Sequence, residues 1–351
     1  MTGRLKFISI LLPLALICSC QIEPPLHLRQ SMKVLVKVLW KTEVYPDGVK
    51  PDGITLYFFR DGEFYMKHTT SEVDSCLVQL APGHYQMYMI SQSPEEYWKM
   101  EFEDMTDYDK ARVNVAETAI SWFSKADGDI LLNSPELMMA GVADEFDVSE
   151  DLTNRYARLS ADSNSASDDE IVRYYTVRVP VNPKNIVSQF WVTIYSDNVD
   201  RLKSVRASTS GMARTFLLTK DRTGDDEGTQ VISEWSLTVD DEENQIGHLD
   251  GFVTTFGFPR GELPDTQRDS TLNVSTLLVD NKTVDDYIFY VGDKVTLEEP
   301  PLGYRYRYRL VFGSVENPVI HPSEVEPEPS GGGFTAGAED WDNEIRSDID
   351  I

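Results

Sequence analysis

Hydrophobic residues alternate with polar ones along most of the chain, in short segments separated by turn residues. In the first segment, residues 32–40, lysines stand at alternate positions among aliphatic side chains. Similar segments follow at residues 54–59, 76–80 and 85–90. Arg60-Asp61-Gly62 predicts a turn after the first of these, and Pro82-Gly83 predicts a turn that joins the last two in a hairpin. A period of two is typical of half-buried β-strands. Short strands with frequent turns favour an antiparallel sandwich.

A serine- and aspartate-rich tract interrupts this pattern near the middle of the chain. Such a tract cannot bury a core, so we predict a linker at residues 161–170. Strand-like segments resume at residue 171 and continue to residue 312. The predicted fold is therefore all-β, with two tandem antiparallel β-sandwich domains at residues 32–160 and 171–320.

The segment Tyr304–Leu310 alternates tyrosine with arginine, which predicts aromatic rings on one face of a strand and guanidinium groups on the other. An arginine row beside aromatic rings is suited to bind a glycan or an acidic partner. A solvated outer sheet face is the simpler interpretation, because exposed charges commonly contribute little beyond solubility.

The amino terminus has the pattern of a secretory signal. Arg4 and Lys6 precede an uncharged, mostly apolar run that is too short to span a bilayer. The run ends in residues 16–20, Leu-Ile-Cys-Ser-Cys, which is similar to a bacterial lipobox. We predict a lipoprotein signal peptide at residues 1–19, acylation of Cys20, and a tether at residues 20–31. The alternative is a plain signal peptide without a lipid.

The 351 residues carry a formal net charge of −27, which disfavours nucleic acid as a partner. Five histidines are scattered, and three cysteines leave no disulfide framework after cleavage at Cys20. Signatures of zinc proteases, serine hydrolases and dinucleotide sites are missing from the sequence. We therefore expect no enzyme activity, no cofactor and no metal site, although paired carboxylates of a glycosidase are not excluded by residue type.

The carboxyl-terminal residues 321–351 combine a proline–glutamate spacer, a glycine joint and an amphipathic end. One period-two face of this end is mainly apolar, and it carries Trp341, Ile345, Ile349 and Ile351. Such patterning at a free terminus predicts a strand that could be donated to a partner. A disordered acidic tail and a strand that pairs within its own domain remain equal alternatives.

Several short sequence motifs occur in the order found in one known family. They are the lipobox at Cys20, the first strand at 34–40, residues 80–85, 207–213 and 255–259, and the tail with Gly331–Phe334 and Asp340-Trp341. In these motifs the chain resembles the fimbrillin-like lipoproteins of the type V pilin superfamily, which are known from Gram-negative anaerobes. The resemblance implies two transthyretin-like sandwiches on an outer-membrane lipid anchor. It also implies a fimbrial or adhesive role through β-strand donation.

One departure from the polymerising pilins concerns proteolysis. The resemblance implies removal of the first strand by cleavage at an arginine just after it. Here Arg29 lies before that strand and the next arginine, Arg60, lies beyond the second strand. Cleavage at Arg29 would release the lipid and keep the strand. We therefore favour a cell-anchored accessory, anchor or adhesion subunit over a shaft subunit.

The expected location is the outer membrane, through the lipid anchor and with exposure at the cell surface. The expected partners are protein subunits or a host or glycan surface. The alternative function is a surface lipoprotein that binds carbohydrate or another ligand through exposed aromatic residues, for which Trp98, Trp122 and Trp341 are candidates.

Overall fold

The computed structural model describes residues 31–41, 50–119, 130–161, 176–265 and 270–327. Up to its one α-helix, the strands of the described chain are β1 Met32–Val38, β2 Ile54–Arg60, β3 Glu63–Thr70, β4 Ser75–Leu80, β5 Gly83–Ser91, β6 Met100–Glu103, β7 Arg112–Val115, β8 Leu131–Leu132, β9 Met139–Val142 and β10 Phe146–Val148. The helix α1 spans Glu150–Ala161.

The strands after the helix are β11 Val177–Val181, β12 Lys184–Asn185, β13 Ser188–Ser196, β14 Leu202–Ala213, β15 Thr215–Leu217, β16 Arg222–Thr223, β17 Glu227–Ile232, β18 Trp235–Asp241, β19 Ile246–Thr255, β20 Thr271–Leu278, β21 Val284–Tyr290, β22 Thr296–Glu298 and β23 Arg307–Phe312. Strands thus dominate the described residues, and the predicted all-β class is confirmed.

The strands form five sheets, most of whose pairs are antiparallel. Three of them have the strand orders β11-β1-β4, β12-β9-β5-β2-β3 with β10 beside β5, and β16-β15-β7-β6. The other two have the orders β18-β19-β13-β23-β22 and β21-β20-β14-β17-β8. Two parallel pairs occur in these last sheets, β13 with β23 and β17 with β8.

The chain divides into two compact units. Of the described residues, 31–35, 77–83, 147–161 and 176–177 belong to the first unit, and the others belong to the second. The predicted linker at 161–170 lies outside the described residues except for Ala161, the last residue of α1. The division into tandem domains at 32–160 and 171–320 stays a prediction.

The helix α1 lies in the first unit, in a segment for which the sequence predicts no helix. The amide of Leu152 donates to the hydroxyl of Ser149 at 3.2 Å, so serine caps the helix N-terminus. Asp151 and Arg155, one turn apart, form an ion pair at 2.8 Å. Local capping and pairing thus support a helix in a segment that is polar overall.

The second unit contains two hydrophobic cores. The first, which we call the Phe190 core, lies between the two five-stranded sheets, and inward side chains of β13, β14, β19, β20 and β23 form it. Phe190, Val192 and Ile194 of β13 are completely buried there. Alternation along these strands therefore produces a β-sandwich, as predicted.

The second, which we call the Tyr88 core, draws on strands from early and late parts of the chain. Its members include Tyr57, Phe59, Tyr88, Ile90, Val113, Ile186, Phe216 and Phe256. The rings of Tyr57 and Tyr88 stack with centroids 4.8 Å apart. Because β7 pairs with β15, Val113 stands opposite Phe216. Residues on either side of the predicted linker therefore share one core.

The predicted strand at residues 32–40 is confirmed, because β1 buries Met32, Val34, Val36 and Val38 and turns the intervening residues outward. The predicted turn after β2 is confirmed as well. Asp61 and Gly62 there have φ angles of 53° and 84°, and β2 pairs with β3. Two positive φ values match the twist of a tight hairpin, and aspartate followed by glycine suits them.

The predicted hairpin between residues 76–80 and 85–90 is wrong. Both segments are strands, β4 and β5, but β4 pairs with β1, whereas β5 lies between β2 and β9. The edges of β5 are occupied by β2, β9 and β10, so no edge is left for β4. The Pro82-Gly83 turn therefore joins two sheets rather than two paired strands.

Candidate functional site

Most of the site residues predicted from the sequence fall outside the described residues. These are Cys20, Arg29, Trp122, Trp341, Ile345, Ile349 and Ile351. The lipid anchor, the processing site and the donor strand therefore stay predictions. Trp98 and the tyrosine–arginine segment lie within the described chain, and the candidate surfaces are built around them.

The tyrosine–arginine segment alternates as predicted where it forms β23. Tyr308 points into the Phe190 core, and its burial, reinforced by the nearby Tyr306, raises its pKa to about 12. Arg307 and Arg309 lie on the opposite face of the strand. That outer face is only partly solvated, because both guanidinium groups have protein neighbours.

Trp191 on β13 and Phe252 on β19 form an aromatic pair beside these arginines. Their rings stack with centroids 5.1 Å apart and an interplanar angle of 13°. The guanidinium carbon of Arg307 lies 5.5 Å from the centre of the Trp191 ring. We call Trp191, Phe252, Arg307, Arg309 and Asp250 the outer aromatic surface. It combines flat rings with donors and an acceptor, which is the composition of many polar-ligand surfaces.

A carboxylate network holds the edge of the outer aromatic surface. Asp250 accepts a hydrogen bond from the hydroxyl of Thr193, and one of its oxygens lies 3.8 Å from Arg309. His248 stands between two carboxylates, at 2.7 Å from Asp240 and 3.4 Å from Asp250. The network fixes Asp250 through several partners, so its position depends little on a ligand.

Trp98 is presented on a short, anchored loop before β6. Its side chain is 88% exposed. The carboxylate of Glu136 accepts two backbone hydrogen bonds, from the amide of Trp98 at 2.9 Å and from that of Lys99 at 3.1 Å. The preceding Tyr97 is buried and donates its hydroxyl proton to the carbonyl of Ser91 at 2.8 Å. A large exposed ring on a fixed backbone is typical of a contact residue.

Strand β21 is an edge strand, paired in the described chain with β20 alone. Tyr287 and Phe289 face the Phe190 core, and the Phe289 ring stacks on Phe312 at 4.6 Å. On the other face Ile288 and Tyr290 are 66% and 71% exposed. A long edge strand with exposed apolar side chains is suited to pair with another strand.

The pairing of Trp191 with Phe252 could not be read from the sequence. Both residues stand in segments with strand patterning, so their outward direction could be inferred from the period of two. Their contact depends on the register of β13 and β19, which places them directly opposite each other. Register between strands some 60 residues apart has no local signal.

No helix within the described ranges is long and apolar enough to cross a membrane. Across the same described chain, histidine, cysteine and carboxylate side chains form no group of three or more that could hold a metal ion.

Comparison with known proteins gives one matching family and several similar solved structures. A family model with the description "Domain of unknown function (DUF5119)" matches residues 25–233, more than half of the chain. The chain belongs to the DUF5119 family. No curated protein matches the sequence significantly.

Similar solved structures come from Bacteroides ovatus and Porphyromonas gingivalis. A Bacteroides ovatus protein named "putative adhesin" aligns with a TM-score of 0.50 and 13% identity, over 88% of this chain and 93% of that one. The fimbrial anchor protein Mfa2 from Porphyromonas gingivalis aligns with a TM-score of 0.45 and 13% identity, over 80% of this chain and 90% of that one. At the level of fold, the resemblance predicted from the sequence is confirmed.

Proposed function

We propose that this member of the DUF5119 family is a lipid-anchored surface protein that acts as a fimbrial accessory, anchor or adhesion subunit. It pairs with partner chains by β-strand addition. The observation that carries the proposal is the edge of β21, where Ile288 and Tyr290 are exposed beside an unpaired backbone edge of the described chain. The named roles of the similar structures agree with this proposal.

The donor in this proposal is the carboxyl-terminal segment with Trp341, Ile345, Ile349 and Ile351. The last described residues lead towards β21, because Ser323 donates its amide and hydroxyl hydrogens to Asp285 at 2.7 and 2.9 Å. The described segment to which the tail is attached therefore contacts β21 at Ser323. This attachment permits pairing within one chain as well as donation to a neighbour.

Retention of the first strand supports an accessory or anchor role rather than a shaft role. β1 begins at Met32, beyond Arg29, and it lies between β11 and β4 in its sheet. Arg60 is the last residue of β2. Cleavage at Arg29 therefore leaves β1 in place, and no sheet position becomes vacant through loss of that strand.

Deletion of residues 331–351 tests strand donation. The full chain and the deletion variant are compared for assembly by size-exclusion chromatography and electron microscopy, and for stability by thermal unfolding. We expect the deletion to abolish assembly and to leave the unfolding midpoint unchanged. A lower midpoint without loss of assembly would mean that the tail pairs within its own chain, and donation would be contradicted.

Substitutions on two edge strands test the acceptor. Ile288→Lys together with Tyr290→Lys should prevent assembly, because charged side chains on an edge oppose strand addition. The matched control is Phe64→Lys on β3, another edge strand, where Phe64 is 40% exposed. If the control alone blocks assembly, β21 is not the acceptor.

Mass spectrometry of the mature amino terminus tests the anchor. Acyl chains on Cys20 are expected on protein extracted from membranes, and Cys20→Ala should release the chain from the membrane fraction. An unmodified terminus after another residue would contradict lipid anchoring. A terminus after Arg29 would show that the lipid is removed by proteolysis.

A second candidate function, carbohydrate binding, is favoured by the 88% exposure of Trp98. Its indole ring offers a flat apolar face to a sugar ring, and Glu136 fixes the backbone beneath it. Binding to a glycan array should then be lost in Trp98→Ala. Unchanged binding in that variant would show that Trp98 is not the contact residue, and no binding by the wild-type chain would leave strand addition as the function.

A further inference from the structure

A cavity of about 630 Å³ lies in the second unit, beside β12 and the segment that leads into β23. Its volume is within the range of small-molecule sites, roughly 300–1,000 Å³. Its lining includes Lys41, Lys184, Arg305, Tyr304, Tyr306 and Asn185. None of the described residues that line the cavity is acidic, although the chain as a whole carries a net charge of −27. The cavity is therefore a local basic site on an acidic protein.

Two of the three cations, Lys184 and Arg305, are held in place by one carboxylate. Asp221 accepts from the Nζ of Lys184 at 2.6 Å and from the Nη1 of Arg305 at 2.5 Å. One carboxylate neutralises one of the three positive charges, so two remain for an anion. A partly enclosed site strengthens such a charge interaction relative to open solvent.

Aromatic rings and an amide complete the lining. The guanidinium carbon of Arg305 lies 5.3 Å from the centre of the Tyr306 ring, so the aromatic and the charged groups are adjacent. Asn185 is 4% exposed, and its side-chain oxygen is buried without a hydrogen-bond partner among the described residues. A buried acceptor without a donor is costly, and the hydroxyl group of a ligand would supply one.

The backbone around Asn185 is tightly constrained. β12 pairs with β9, which places Asn185 opposite Met139. Gly141 is also on β9, and a Cβ atom there would lie 3.0 Å from the carbonyl oxygen of Asn182, another lining residue. The close approach leaves little room for this wall to move, so the polar lining is preorganised.

We propose that this cavity binds an acidic sugar of the hexuronic acid class. The carboxylate pairs with Lys41, Lys184 and Arg305, the ring lies against Tyr304 or Tyr306, and a hydroxyl group donates to Asn185. A bare anion would use the cations alone, and a neutral sugar would use the rings and the amide alone. The combination of all three selects a ligand that has charge, a ring and hydroxyl groups.

The proposal goes beyond strand addition and is independent of it, since no residue of β21 lines the cavity. The probes are D-galacturonic acid, its neutral counterpart D-galactose, and inorganic phosphate, titrated into the full chain by calorimetry. We expect galacturonate to bind, and galactose and phosphate to bind at least about tenfold more weakly. Added sodium chloride should weaken galacturonate binding.

Matched lysine variants locate the binding. Lys184→Gln and Lys41→Gln should each weaken galacturonate binding by about threefold to tenfold. Lys110→Gln is the control, because Lys110 pairs with Asp107 at 2.7 Å and is 67% exposed, close to the 61% of Lys184. Tyr306→Leu should also weaken binding, and thermal unfolding confirms that each variant is folded.

Three results would overturn the proposal. Galactose that binds as tightly as galacturonate would remove the role of the cations. If phosphate binds as tightly as galacturonate, and Tyr306→Leu does not weaken galacturonate binding, the cavity is a site for a bare anion. An equal loss in Lys110→Gln and Lys184→Gln, or no binding of galacturonate at all, would show that the cavity has no specific role.

Discussion

The side chains of Arg305 and Asp221, 84 residues apart in the sequence, form an ion pair with an Nη1–Oδ1 distance of 2.5 Å. A second N–H group of Arg305 donates to the backbone oxygen of Asp221 at 3.0 Å. Asp221 stands in the turn between β15 and β16 with a φ of 51°, a conformation that aspartate adopts more readily than most residues. Local turn geometry thus supports a contact between distant segments.

The pair makes the stability of the protein depend on pH. Burial opposes ionisation of Asp221, but hydrogen bonds from Arg305 and Lys184 outweigh it and hold the pKa of Asp221 below its ordinary value. A depressed pKa gives stability that is full above the unfolded pKa, about 3.9, and is lost as the pH falls through the folded pKa. The contribution is therefore present at neutral pH and absent in strong acid.

We expect Asp221→Asn to lower the free energy of unfolding at pH 7 by about 1–2 kcal/mol, a value reduced because Asp221 is more than one third exposed. The difference from wild type should shrink below about pH 4. Urea unfolding at several pH values measures it. The control Asp107→Asn removes a single ion pair, to Lys110, which is 67% exposed, and should change stability less. A difference that does not vary with pH would contradict the assignment.

Gly251 lies beneath the ring of Trp235 in the Phe190 core. A Cβ atom at Gly251 would lie 2.7 Å from the Cδ2 atom of Trp235, which is 2% exposed. We therefore expect Gly251→Ala to lower the free energy of unfolding by about 1–3 kcal/mol through overpacking. Chemical denaturation measures the loss.

A double-mutant cycle separates the Gly251–Trp235 contact from a general cost of alanine in a strand. In a Trp235→Leu background the ring is gone, so Gly251→Ala should cost clearly less than in wild type. An equal cost in both backgrounds would mean that the contact with Trp235 is not the cause.

Structural features that depend only on neighbouring residues could be predicted from the sequence. The alternation in β1 and β23 correctly gave the buried face of each strand, because the direction of a side chain depends only on its place in the pleat. The Asp61-Gly62 turn followed from backbone preferences of two residues. These features need no knowledge of a partner strand.

Pairing between distant strands could not be predicted in the same way. β4 and β5 have strand patterning and a turn between them, yet they join different sheets. Phe216 meets Val113 in the Tyr88 core only because β15 pairs with β7. The cavity could not be predicted for the same reason, since its lining residues Lys41, Asn185 and Tyr306 are far apart in the sequence and become neighbours only in the folded chain. Such contacts are decided by the sum of packing over the whole sheet.

The Trp98 loop gives a prediction about local mobility. Glu136→Ala removes the acceptor of the amide hydrogens of Trp98 and Lys99. We expect hydrogen exchange at these two amides to accelerate about tenfold, corresponding to the loss of about 1–1.5 kcal/mol of hydrogen bonding. Glu101→Ala, at an exposed position of β6, is the control and should leave both amides unchanged. Unchanged exchange in Glu136→Ala would show that other contacts hold the loop.

Cys76 gives a prediction about chemical reactivity. Its thiol is free and 2% exposed, and burial, with a smaller effect of Glu72, raises its pKa to about 11. Since the thiolate is the reactive form, only about one molecule in a thousand is reactive at pH 8. In the full chain with Cys18→Ser and Cys20→Ser, modification by a disulfide reagent should be slow in buffer and complete in urea. Rapid, stoichiometric labelling of the folded chain would show that β4 opens readily and that Cys76 does not pack as a small hydrophobic residue.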